Sequence, residues 1–167
     1  MEIGTRRILH CNVTVHPTAE WTAQQFREAI RSDHSYQFLV HDRDSIFSTE
    51  ADQTVENLGL KVLRTPVRAP QANAYCERLI GTVRRECLDF MIPLGEKHLR
   101  TILQEWICHY NHGRPHRSLG PGIPVRKPQA KLAAQTNRHQ IPEGWRVVKT
   151  SILSGLHHEY ELKKVAA

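Results

Sequence analysis

The feature that most narrows the fold is a five-residue run, QFLVH (residues 37–41), which is mostly apolar and ends abruptly at Asp42-Arg43-Asp44. A run this short and this continuous fits a buried central strand in a sheet covered on both faces, the setting in which parallel strands are joined by helices. Its flanks agree. Ahead of it, Ala19, Ala23, Phe26 and Ile30 recur on one helical face, and Thr18 stands where a cap is needed. Behind it, Ala51, Val55 and Leu58 mark a second helix, with Thr49 as its cap and Gly59 as its stop, before a short strand over residues 60–63. Further upstream, residues 7–15 (RILHCNVTV) alternate and are rich in β-branched side chains, which reads as another strand. The order strand–helix–strand–helix–strand implies an α/β domain.

The second half reads as helices, then loop, then tail. A loop over residues 65–73 is broken by Pro66 and Pro70, and a long helix is expected over residues 74–90. A second helix over residues 96–112 carries Leu99, Ile102, Leu103, Trp106, Ile107 and Tyr110 on one face, a stripe that core packing explains. Residues 113–128, with four prolines and three glycines, read as an extended loop. Residues 131–140 are polar and poorly patterned, and residues 145–149 and 158–162 suggest two short strands around Gly155.

Composition enters where partners are concerned. A net charge of +6 and a pI near 9.4 favour a polyanionic partner, nucleic acid first among them. The four cysteines show no Cys-x-x-Cys spacing, so neither a zinc knuckle nor a redox motif is indicated, and a reducing cytosol is the simplest compartment. Cys108, His109, His112 and His116 lie close together but match no zinc module; His109 and His112 read as polar positions at the end of an amphipathic helix. No signal peptide and no membrane-length apolar run is visible.

Chemistry concentrates in two carboxylates. Asp42 sits just past the end of a strand, where ligands gather in α/β sheets. Glu77, 35 positions later, falls in the first turn of the helix expected over residues 74–90. On a helical projection of that segment, Cys76, Leu79, Ile80, Val83, Cys87 and Phe90 cluster on one side. Glu77, Gly81, Arg84 and Arg85 occupy the other, with Arg78 at its edge. Arginines suit phosphates, a carboxylate among them suits a hard cation such as Mg²⁺, and glycine leaves room for a ligand to come close. A plainer reading stands beside this one: Glu77 neutralises a helix N-terminus, the arginines form a solvated face, and Asp42 and Asp44 serve a turn.

The stretches VHDRDSIF (residues 40–47), P-x-x-N-x-x-x-E-R (70–78), RRECL (84–88) and YNHGRPHRSLGPGIP (110–124) together resemble the integrase-core transposases of bacterial insertion sequences. GLHHEY (155–160) resembles the end of some members. The resemblance implies a ribonuclease H-like mixed sheet with flanking helices, and an integrase catalytic core over residues 1–124 with a tail over 125–167. It makes Asp42 and Glu77 the second and third acidic residues of an Asp-Asp-Glu triad, catalytic and metal-binding, with Mg²⁺ or Mn²⁺ as cofactor and two ions in the full site. Asp44 stands where many relatives have glycine and ranks below Asp42. Gln71 and Asn73 match the polar loop before the glutamate. With Arg43, Arg68, Arg78, Arg84, Arg85, Arg114, His116 and Arg117 they are candidate DNA contacts.

The same resemblance implies DNA cleavage and strand transfer on transposon ends and target, no membrane partner, a homo-oligomeric assembly, and a cytoplasmic, nucleoid-associated location. No aspartate precedes Asp33, so the family's first acidic residue is expected to be absent together with the first one or two strands, weakening strand transfer. A raw sheet edge would then favour self-association. Two other readings remain open: a nuclease of the same fold acting on RNA–DNA hybrids, and a non-catalytic DNA-binding or oligomerisation remnant of a transposase.

Overall fold

A computed structural model describes residues 1–68, 70–120, 122–125 and 140–165. Of the expected segments, most of the polar stretch 131–140 and the end of the loop 113–128 lie outside them. The elements are α1 (Ala19–Ala29), β1 (Phe38–His41), α2 (Thr49–Asn57), β2 (Lys61–Arg64), α3 (Ala74–Glu86), α4 (Glu96–His112), β3 (Trp145–Ile152) and β4 (His157–Lys164). The protein is thus mixed α/β, with two two-stranded sheets among the described residues.

The front half is a small βαβ unit. β1 and β2 pair in parallel, with Phe38 opposite Lys61 and His41 opposite Arg64. α2 connects them, and α1 packs on α2. Thr18 caps α1 by accepting from the Trp21 N–H, as its sequence position implied. At α2 the cap is Ser48, accepting from the Ala51 N–H, one residue ahead of the expected Thr49. Gly59 follows α2 with φ of +89°, a left-handed conformation that favours glycine. Ile30, Val55 and Leu60 form a small buried cluster, joined by Phe26, Leu39 and Val62.

Two expectations fail in this half. β1 is not covered on both faces: Leu39 and His41 turn inward, but Phe38 and Val40 are 51% and 41% exposed, and Leu63 on β2 is 46% exposed. One face of the strand meets the helices, while the other, though apolar, is exposed. Residues 7–15 form no strand. The segment is held by side chains of α4 where a ladder was expected: Asn111 Oδ1 accepts from the Ile8 N–H at 3.0 Å, and Asn111 Nδ2 donates to the Ile8 carbonyl at 3.0 Å. Arg100 donates to the Val13 carbonyl and Glu96 accepts from the Val15 N–H. A pattern that suits a strand has its backbone groups satisfied by another element.

The back half is built on α4, whose bounds match the sequence expectation. Trp106 is fully buried at its centre. Ile8, Cys87, Ile102, Tyr110 and Leu153 complete the larger cluster, with Leu79 and Val83 of α3 packed against it. α3 ends at Glu86 and gives way to a 3-10 turn, Leu88–Phe90, so the expected helix is shorter by a turn. Only Leu79, Val83 and Cys87 of its apolar stripe turn inward; Ile80 and Phe90 are exposed.

β3 and β4 form an antiparallel hairpin, longer than the two short strands the sequence suggested. Its turn holds Leu153 and Ser154 at positive φ before Gly155 at +99°. Left-handed backbone is unfavourable for leucine, and burial of Leu153 in the larger cluster offsets it.

Candidate functional site

The parallel pairing brings the carboxyl ends of β1 and β2 to one side, and Asp42 is the first residue past β1. A recess of about 270 Å³ opens there, lined by His41, Asp42, Arg43, Asp44, Ser45, Phe47 and Arg64. Asp42 Oδ1 accepts from the Asp44 N–H at 3.1 Å, and Asp44 Oδ1 accepts from the Ile46 N–H at 3.1 Å. The plain turn role offered by the sequence is therefore present, and it occupies one oxygen of each carboxylate.

Beneath the turn lies a charged relay that sequence reasoning missed. His41 is buried; its Nε2 meets Asp52 Oδ1 at 2.9 Å, and its Nδ1 faces the Asp42 carbonyl. Asp52 Oδ2 accepts from Arg64 Nε at 2.9 Å and from Arg64 Nη2. Phe47 stacks on the His41 ring at 4.4 Å, and Arg43 donates to the Thr65 carbonyl at 3.1 Å, tying the turn to the end of β2. The strand end that presents Asp42 is thus fixed from below and from the side. The sequence held one signal, an acidic residue beside the apolar stripe of α2. Only the register that puts Arg64 opposite His41 closes the relay, and four-residue strands do not reveal register.

Glu77 stands in the first turn of α3, exposed, and among the described residues no hydrogen bond or ion pair engages its carboxylate. It does not line the Asp42 recess. Nearby, the Arg6 guanidinium lies 3.9 Å from the Tyr75 ring centroid, a basic group at the head of α3 that the sequence reading did not select. The 3-10 turn Pro70–Asn73 leads into α3; Gln71 is exposed, and Asn73 makes no side-chain capping bond.

The basic candidates divide. Arg68, Arg78, Arg85 and Arg117 are exposed and make no ion pair among the described residues. Arg84 reaches Asp89 at 3.3 Å on the surface. The space above Gly81 is taken by the Arg85 side chain: a Cβ there would lie 2.9 Å from Arg85 Nη1. Two candidates are corrected. Arg114 makes a two-pronged ion pair with Glu86, which raises its pKa and uses its planar face. His116 is buried edge-on against Tyr110 at 4.5 Å, and burial lowers its pKa, so near neutral pH it is uncharged packing and not a cation for phosphates.

His109, expected as a polar position at the end of its amphipathic helix, is also buried. Its Nδ1 meets Glu159 Oε1 at 2.8 Å and its ring stacks on His157 at 5.1 Å, which clamps the hairpin to the end of α4. Cys76, expected on the apolar side of its helix, is exposed, as is Cys108, whereas Cys87 is buried.

A divalent cation is tested by the donors present. Among the described residues no three His, Cys, Asp or Glu side chains gather as a metal cage. Mg²⁺, however, is commonly held by one or two carboxylates with substrate phosphates supplying further oxygens. Asp42 at an open recess and the unengaged Glu77 are hard oxygen donors of that kind, so the chemistry of the donor set fits.

The chain is an α/β protein with an acidic residue at the carboxyl end of a parallel strand and a second on a following helix. The Integrase core domain family matches residues 58–124, a stretch that includes Glu77 and begins after Asp42. Over 72 residues the chain is 38% identical to the Insertion element IS476 uncharacterized 39.2 kDa protein of Xanthomonas euvesicatoria, covering 43% of this chain and 19% of that protein. Over 84 residues it is 32% identical to the putative transposase InsD for insertion element IS2E of Escherichia coli (strain K12), covering 50% of this chain and 38% of that one. The same identity holds to the transposase InsD for insertion element IS2A/D/F/H/I/K of Escherichia coli, of which 28% is covered. The chain thus spans well under half the length of these curated relatives. No solved structure matches. Over the matched stretch this chain is similar to integrase core domains and to transposases of bacterial insertion elements.

Proposed function

We propose that this chain is a DNA-handling integrase core in which Asp42 and Glu77 hold Mg²⁺ or Mn²⁺ against a DNA strand, within a ribonuclease H-like arrangement over residues 1–124. The observation that carries the reading is Asp42 at the mouth of a recess on the carboxyl ends of two parallel strands, in a chain whose later helix falls in the integrase family match. When bound, the cation supplies charge neutralisation at the phosphoryl group and activation of the attacking oxygen.

The chain's own residues supply position. The His41–Asp52–Arg64 relay fixes the backbone that carries Asp42. Asp44 and Arg43 hold the turn in place, leaving one oxygen of Asp42 outside the turn bond. Glu77 is presented on a helix flanked by Arg78 and Arg85, whose forks suit phosphate oxygens. Arg68, Arg117, Gln71 and Asn73 extend the contact along a DNA backbone, which gives affinity without sequence preference. Arg43 and Arg84 keep partial capacity for the same role. The substrates are transposon-end and target DNA, and the active assembly is a homo-oligomer in a bacterial cytoplasm.

The experiment pairs cleavage with binding. Pre-cut and uncut duplex ends are incubated with the chain in Mg²⁺ or Mn²⁺, and DNA affinity is measured with and without the cation. Nicking or joining, or a cation-dependent gain in affinity, that disappears in both Asp42→Asn and Glu77→Gln supports the reading. Preferential cutting of an RNA–DNA hybrid favours the hybrid nuclease. Metal-independent duplex binding untouched by either substitution, with no nicking or joining in either cation, favours the non-catalytic remnant.

A further inference from the structure

The hairpin of β3 and β4 confines its carboxylates to one face, while basic residues stand on both. Side chains alternate along a strand, so the antiparallel register fixes which residues stand together. Glu159 and Glu161 share one face, where Glu159 reaches His109 of α4 at 2.8 Å and Glu161 meets Lys163 at 3.6 Å. The opposite face has Trp145 paired with Lys164, Val147 with Leu162, and Lys149 with Tyr160, and it carries no acidic residue. Tyr160 is 67% exposed and Val147 49%. Lys164 Nζ stands 5.8 Å from the Trp145 ring centroid. Both carboxylates of the hairpin thus lie on the face that meets α4 or pairs locally, and the solvent face keeps an aromatic and aliphatic floor with a lysine toward each end.

We propose that this face is a binding site for single-stranded nucleic acid, with bases stacking on Tyr160 and on the Trp145 edge of the floor and phosphates reaching Lys149 and Lys164. Charge complementarity selects the occupant: an apolar floor with cations and no anions suits a polyanion with flat faces. Exposed aromatic rings suit unpaired bases, whose π-faces are open, better than a closed duplex. The site includes neither Asp42 nor Glu77 and needs no metal ion.

The test uses the full chain in a chelator-containing buffer with a fluorescent oligothymidylate of about 15 nucleotides, a length that spans common single-strand site sizes, and a duplex of equal length. The single strand binds more tightly than the duplex. Tyr160→Ala weakens single-strand binding about tenfold, in line with the loss of one stacked base. Lys149→Glu and Lys164→Glu weaken it and flatten its salt dependence by about 0.7 for each phosphate that is no longer neutralised. Asp42→Asn and Glu77→Gln leave it unchanged, which separates failure of this site from failure of the metal-site reading. The thermal midpoint of Tyr160→Ala, a change at an exposed ring, confirms that the fold is intact. The proposal is overturned by equal single-strand affinity in Tyr160→Ala. It is also overturned by tighter binding to duplex. A substitution that shifts oligomeric state while single-strand affinity stays put would overturn it too, and would make the face an interface between copies.

Discussion

The βαβ unit around Val55 and the assembly around Trp106 bury charge in opposite ways. In the first, the relay His41–Asp52–Arg64 lies under the strand end that presents Asp42, and the apolar cluster beside it is small. In the second, the pair His109–Glu159 joins two elements around a larger buried cluster and lies outside the Asp42 recess. A buried ion pair is weak evidence of stability, because desolvation offsets much of the attraction. Its value in the first unit is position, in the second attachment. The unit bearing Asp42 rests on the smaller buried cluster and the α4 assembly on the larger, so the first is expected to open more readily and the second to act as the frame.

The largest blow to that contrast falls on the frame. Trp106→Ala should cost about 3–5 kcal/mol, the range for removing a buried aromatic side chain, read by urea denaturation. A loss below about 1 kcal/mol would mean that α4 is not the frame. Next comes the relay. Asp52→Ala should cost about 2 kcal/mol, with Arg64 half-exposed and able to return to water while His41 cannot. Hydrogen exchange should accelerate in β1 and β2 and stay slow in α4; uniform acceleration would erase the distinction between the two regions.

A smaller change probes the attachment. A Cβ at Gly113 would run into the Glu159 carboxylate, so Gly113→Ala must push that group off His109. The expected loss is about 1 kcal/mol, the size of one hydrogen bond, with faster exchange in β4 alone. The smallest effect is pH-dependent. Burial lowers the His116 pKa beneath its ordinary value of 6.5, so the folded state binds this proton less readily than the unfolded chain. The contribution is present above pH 6.5 and is lost as pH falls below it. His116→Gln should give a shallower fall in melting temperature on the acid side; an unchanged slope would contradict the buried neutral imidazole.

Most of the helices are legible in the sequence because helical periodicity is local. The stripe of Ile102, Trp106 and Tyr110 suffices for α4, and Gly59 marks the end of α2. Residues 7–15 mislead because alternation reports the fit of a side-chain face and says nothing of what satisfies the backbone, here Asn111 from far along the chain. QFLVH suggests cover on both faces because a short apolar run looks the same whether one face or two are packed. Asp42 and Glu77 are visible as motif residues, and Asp42 stands at a strand end as expected. The relay beneath it stays hidden because it depends on strand register. His116 and Arg114 look like surface cations because sequence carries charge and not burial.

The central claim is that Asp42 and Glu77 act on one divalent ion. A double-mutant cycle on Mn²⁺ affinity, measured by calorimetry or electron paramagnetic resonance with a DNA duplex present, tests it most directly. With a shared ion, Asp42→Asn and Glu77→Gln each lower the affinity, and the double variant is little worse than either alone. Independent, additive losses, or no loss from one of them, would contradict a common site.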